Sequence, residues 1–174
     1  MQVARDGRGL RHVHVWYAPY RRIRLAWCSL FLVLGVCTGQ AAMRALSLEE
    51  LVRQADMIVL GTVIKQESAW DAQHTVISTT VTLAVELTLA GPPMEVVTLQ
   101  ITGGIVGTIG MRTSTDAVFW DGERVVVFLN THAIPNTLVG MQQGKFTVQD
   151  NTVTGAGMTW LLDDFIAAVH AAAR

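Results

Sequence analysis

Cysteine is nearly missing from this chain of 174 residues: Cys28 and Cys37 are the only two, and both stand before residue 42. The segment that follows carries no disulfide and no thiolate, so a domain built from it is held by core packing and performs no cysteine chemistry. Charge is scarce too, at 16% Asp, Glu, Lys and Arg, while 51% of the residues are hydrophobic. Disordered chains show the opposite balance, which excludes a disordered protein. Basic residues are few after residue 41, seven Lys and Arg against thirteen Asp and Glu, a net charge of −6. That balance excludes a nucleic-acid binder and argues against anionic membranes as a partner. Internal repeats, linkers and low-complexity tracts are also missing, so residues 42–174 are expected to form one domain.

The first 41 residues have a different character. Residues 1–24 hold six arginines against the single acid Asp6, and Leu25 to Gly39 then runs fifteen residues without a charge. Small residues, Gly39 and Ala41, precede Ala42. A basic segment (1–24), a short apolar core (25–39) and a small-residue exit predict a secretory signal peptide cut between Ala41 and Ala42. The apolar run falls short of the ~20 residues that span a bilayer. An uncleaved anchor and a lipoprotein attached at Cys37 are the alternatives. In each case the arginines stay inside and residues 42–174 are exported, to be secreted or kept in the cell envelope.

Ser47, with Glu50 three residues later, forms a capping-box pattern, and Leu48, Leu51, Val52 and Ala55 share one helical face. The pattern predicts a short helix over 47–56. Met57 to Ile64 is a continuous apolar run, read as a strand covered on both faces, with Gly61 permitting a bend. His74 to Leu89 alternates, placing Ile77, Val81, Leu83, Val85, Leu87 and Leu89 on the inner face of a long strand. Gly91-Pro92-Pro93 breaks it. Glu95 to Thr102 alternates again, with Val97, Leu99 and Ile101 inward, so the two strands should pair as an antiparallel hairpin. Gly103 to Gly110 reads as a loop or bulged turn, and Arg124 to Leu129 as another buried strand. Asp150-Asn151 is a two-residue hairpin signal between Lys145–Gln149 and Thr152–Thr154. Residues 159–173 are predicted to form a final helix whose face holds Leu161, Leu162, Phe165, Ile166 and Val169. The sum is a mainly β domain: a small closed or partly open OB-like barrel of five or six antiparallel strands, with a short N-terminal and a C-terminal helix.

The string Ala55-Asp56-Met57-Ile58-Val59-Leu60-Gly61-Thr62-Val63 resembles the "ADxIVxGxV" opening of small exported bacterial domains. Trp70-Asp71 before the long strand, and Gly122-Glu123-Arg124 leading into Val125 to Leu129, are similar to their later motifs. The layout from Ser47 to Thr154 resembles the netrin-like, or tissue-inhibitor-of-metalloproteinase-like, OB-fold group. The resemblance implies a fold, not an activity. Inhibitory members of that group present an N-terminal cysteine to a protease zinc, and this chain has no cysteine after Cys37. Ala90 also stands where the group has a lysine before the hairpin glycine, here Gly91.

Catalytic signatures are sparse. His74, His132 and His170 lie far apart, in no pairing that spaces metal ligands, and read as surface histidines. The glycine-rich stretch lacks the helix behind it that a phosphate loop needs. Asp163-Asp164 suits the first turns of the last helix, where the dipole favours acids. A nucleophile elbow is absent. Neither a cofactor nor a metal is expected, and the domain is expected to be non-enzymatic. Trp70, Asp71 and Trp120, which border turns, are the candidate binding residues, since exposed indoles recognise glycans and peptides. The partner is then an extracytoplasmic protein or a surface polymer. One alternative is a protease-inhibitor-like module that inserts its N-terminal segment, from Ala42, or a loop. Another is a hydrolase, which requires His74 or His132 beside a carboxylate and a serine in a cleft.

Overall fold

The computed structural model describes residues 44–173. The signal-peptide expectation, with its Ala41–Ala42 cut and both cysteines, lies outside the described residues.

The N-terminal helix α1 (Leu48–Gln54) opens as its sequence requires. The Ser47 hydroxyl accepts from the Glu50 N–H at 3.2 Å, and the Glu50 carboxylate accepts from the Ser47 N–H at 3.0 Å. Ten strands come next: β1 (Met57–Trp70), β2 (Ile77–Ala90), β3 (Val96–Thr102), β4 (Gly104–Val106), β5 (Ile109–Met111), β6 (Arg124–Asn130), β7 (Thr137–Leu138), β8 (Lys145–Gln149), β9 (Thr152–Gly155) and β10 (Met158–Leu161). A 3-10 turn (Met141–Gly144) precedes β8, and helix α2 (Leu162–Ala172) ends the described chain.

The domain is mainly β, one large antiparallel sheet with two short helices. Its strands run β10-β9-β8-β6-β1-β2-β3, with β7 beside β6, while β4 and β5 pair in a separate two-stranded ribbon. The sheet is not closed, so the partly open alternative describes it. A single parallel bridge, Leu99 to Asn136, spans the gap between β3 and the segment before β7. There the Gln100 N–H donates to the Asn136 carbonyl at 2.8 Å, and Asn136 Nδ2 donates to the Thr98 carbonyl at 2.8 Å.

Both faces of the central strands are buried, which explains the unbroken apolar runs in β1 and β6. On one face Ile58, Leu60, Val126 and Phe128 meet Leu48, Leu51 and Val52 of α1, and Phe165 and Val169 of α2. Phe128, Phe146 and Phe165 form an aromatic triangle with centroids 5.0–6.3 Å apart. On the other face Val59, Val63, Val125 and Val127 pack against Val81, Leu83, Val97, Leu99 and Phe119 inside the curl of the sheet. At Gly61 the backbone of β2 comes close: a Cβ there would stand 2.5 Å from the Ala84 carbonyl oxygen, and a register shift lies next to it.

Several expectations change. The final helix begins at Leu162, not at 159, because Thr159 to Leu161 pair with Thr152 to Thr154 and extend the ladder. Residues 103–110 are not a plain loop; from Gly104 they enter the β4–β5 ribbon, which turns at Gly107-Thr108 and ends at Met111. Within β2 the alternation misassigns two leucines. Leu87 is exposed and Leu89 joins the helix-side core, because the β1–β2 register skips Glu86 and then Leu89, and each unpaired residue in β2 breaks the alternation. The strand count is also higher than five or six, since short pieces such as β7 and β10 carry too few residues to show a period.

Candidate functional site

A cleft enclosing about 530 Å³ lies between the β4–β5 ribbon, residues 112–120 and the outer half of the β1–β2 hairpin. Its apolar lining includes Ile101, Ile105, Met111, Phe119 and Trp120, and Gln66, Ser68, Arg112 and Asp116 supply the polar groups.

The ribbon wall is anchored by hydroxyls. Thr79 donates to the Gly103 carbonyl at 2.6 Å and lies 2.8 Å from the Ser68 hydroxyl, while the Gly103 N–H donates to the Ile77 carbonyl at 2.7 Å. Gly103 and Gly104 have φ of 93° and 138°, and a Cβ on Gly104 would strike the side chains of Thr79 and Ser68. Glycine is therefore required where the chain leaves β3 and doubles over the hairpin.

The opposite wall is set by an ion pair. Lys145 and Glu123, each only 11% exposed, meet at 2.6 Å. Lys145 Nζ also donates to the Val118 carbonyl at 2.6 Å and lies 4.8 Å from the centroid of the Phe119 ring. Glu123 accepts from the Thr147 hydroxyl at 2.7 Å and from the Trp120 N–H at 3.1 Å. The segment 118–123 is thus tied down at Val118, Phe119, Trp120 and Glu123. Phe119 is driven into the core and Trp120 is left 70% exposed at the mouth of the cleft. Next to it, Gln66 Nε2 donates to Asp121 Oδ1 at 2.9 Å, which joins this turn to β1.

Trp120 is accordingly the one of the three candidate residues that lines the cleft. Trp70 and Asp71 lie at the tip of the β1–β2 hairpin. Trp70 stacks on His74, centroids 6.2 Å apart and planes at 24°. The Asp71 carboxylate accepts from the Thr75 hydroxyl and from the Thr75 N–H, both at 2.6 Å. Those two bonds, the hydroxyl's first, hold its pKa below the usual aspartate range. Both side chains shape the hairpin tip.

The histidines stand apart from the cleft. His132 Nε2 is 3.3 Å from Asp56 Oδ1, with Asp56 Oδ2 also accepting from the Thr131 N–H at 2.8 Å. His74 belongs to the hairpin tip, and neither histidine lines the cleft. The described chain starts at Arg44, which pairs with Glu50; the Arg44 carbonyl and the Leu46 N–H are both held by the Gln143 side chain.

Of the two residues that hold this wall, Glu123 stands in the sequence only within the Gly122-Glu123-Arg124 motif and Lys145 only as the start of a strand, and neither was a candidate site residue. Compared with protein-family models and with curated proteins, the chain matches none.

Proposed function

We propose that this chain is an exported, non-enzymatic binding domain that recognises an extracytoplasmic protein or a surface polymer through the cleft beside Trp120. The observation that carries the reading is the indole itself. It is 70% exposed although its segment is fixed by a buried ion pair. An aromatic anchor held in one position loses little entropy on binding, which is what recognition sites need. The apolar lining around it offers a complementary pocket. The test is capture of partners from extracytoplasmic extract by the wild-type chain and by Trp120→Ala. Partners retained equally by both would end the proposal, and loss with Trp120→Ala at unchanged unfolding temperature supports it.

A second reading, the protease-inhibitor-like module, draws on a different loop. Ile134 is 98% exposed, between a stem held by Asp56 at Thr131 and one held by β3 at Asn136. A loop held at both stems with an apolar apex suits insertion into a protease pocket. Slowing of a purified extracytoplasmic protease, abolished by Ile134→Asp, would favour this reading over the cleft.

A further inference from the structure

Three neighbouring features constrain the ligand of the cleft further, on the reading that the cleft is the binding site. The first is an unused strand edge. The ribbon has only two strands, so β5 is paired on one side alone. Across the two-residue turn, Val106 and Ile109 form the closing pair and Ile105 faces Gly110. Antiparallel pairs alternate between bonded and non-bonded, so the N–H and carbonyl of Gly110 point away from β4. Gly110 is itself exposed, so its outward backbone groups are open to solvent.

The second feature is the apolar hollow next to that edge, between Ile101, Met111 and Phe119, with Trp120 at its mouth. Its size suits one or two side chains rather than a long polymer. The third is charge. The ion pairs of Arg44, Lys65, Arg124 and Lys145 occupy those cations; Arg53 and Arg112 are in none of the pairs among the described residues, and of these two Arg112 lines the cleft. Asp116, the acid of the cleft, is bonded to the Thr113 hydroxyl. An exposed guanidinium that lines the cleft with no ion-pair partner among the described residues complements a single anionic group.

We propose that the cleft binds the C-terminal end of another protein in extended form. The peptide adds to the β5 edge at Gly110, places an apolar last side chain between Met111 and Phe119, and sets its terminal carboxylate on Arg112. Backbone pairing supplies affinity and the pocket supplies selectivity, the general logic of strand addition. A neutral sugar would use the indole but neither the strand edge nor the guanidinium.

The probe is an array of synthetic pentapeptides ending in each apolar residue, every one made with a free C-terminal carboxylate and as its amide, alongside an array of neutral glycans. Full-length protein, Arg112→Gln and Trp120→Ala are applied to both. The expected result is binding to free-acid peptides with apolar ends, weakened roughly 10- to 100-fold in the amides and in Arg112→Gln, the loss of a charge-assisted hydrogen bond. Arg112 is exposed, so its replacement leaves the fold intact, and an unchanged unfolding temperature checks this. Equal binding of acids and amides overturns the proposal. Binding to glycans alone, lost in Trp120→Ala, overturns it while sparing the cleft as a recognition site. Binding that neither variant alters overturns both.

Discussion

Lys145 is the residue whose loss should be felt most widely. Its ammonium and the Glu123 carboxylate are 2.6 Å apart with 11% of each side chain exposed, and both make further hydrogen bonds. In Lys145→Met the stem is kept and the charge removed, leaving Glu123 charged in a nearly dry site with only Thr147 and the Trp120 N–H as donors. Removing one partner of a buried pair costs about 3–5 kcal/mol. The exposed Lys65–Glu67 pair, 59% and 65% exposed, is the control; Lys65→Met should cost under about 1 kcal/mol. Urea unfolding measures both. For a domain of this size the first figure corresponds to a fall in Tm of about 10 °C or more. Adding Glu123→Gln to Lys145→Met removes the stranded charge and should restore about half of the loss or more. The same variant should loosen the 118–123 segment, so Trp120 fluorescence becomes more quenchable by iodide under native conditions. If Lys145→Met is no worse than Lys65→Met, the pair is screened by water and the account of a fixed Trp120 falls with it.

Three further outcomes are expected from the fold. Phe165→Ala removes the ring that joins α2 to Phe128 and Phe146 and should cost about 3–5 kcal/mol in chemical unfolding; a cost under about 1 kcal/mol would mean α2 is not docked on the sheet. Gly61→Ala places a methyl 2.5 Å from the Ala84 carbonyl, which is backbone and cannot step aside, and should destabilise by about 1–3 kcal/mol, read from the same unfolding curves. Glu86, hydrogen-bonded first by Arg124 and then by Thr62, has a pKa below the usual glutamate range. A carboxylate with a lowered folded pKa contributes stability above its unfolded value and loses it as pH falls through the folded one. The difference between wild type and Glu86→Gln, under about 1 kcal/mol for so exposed a pair, should therefore be present near neutral pH and vanish in acid.

The helix over 47–56 was legible because capping is local: Ser47 and Glu50 announce it within four residues. The central strands were legible because β1 and β6 are buried on both faces and read as runs, while β2 and β3 are buried on one face and read as alternation. What failed was non-local. The alternation through Leu87 and Leu89 assumed an unbroken ladder, and nothing local marks Glu86 and Leu89 as the residues left unpaired against β1. Leu161 has an apolar side chain at helical spacing from Phe165, yet pairing with Thr152 holds it in a strand. The cleft was half visible. Trp120 stood out by its turn, whereas Trp70 looked equivalent and is taken up by His74. Lys145 is 22 residues from Glu123, and such a pair carries no local mark.

Asn136 has a consequence for how this molecule behaves in a crowd. An open sheet ends in strands whose outward backbone groups are templates for a neighbouring chain, the ordinary route to fibrils and swapped dimers. On β3 that route is obstructed, because the Thr98 carbonyl and the Gln100 N–H are already taken by the side chain and main chain of one asparagine. At the far end, β10 offers four residues before the chain turns into α2. In a domain with no disulfide to lock it, one asparagine thus closes the margin of the large sheet at β3, and Asn136→Ala is where self-association through that edge should first appear.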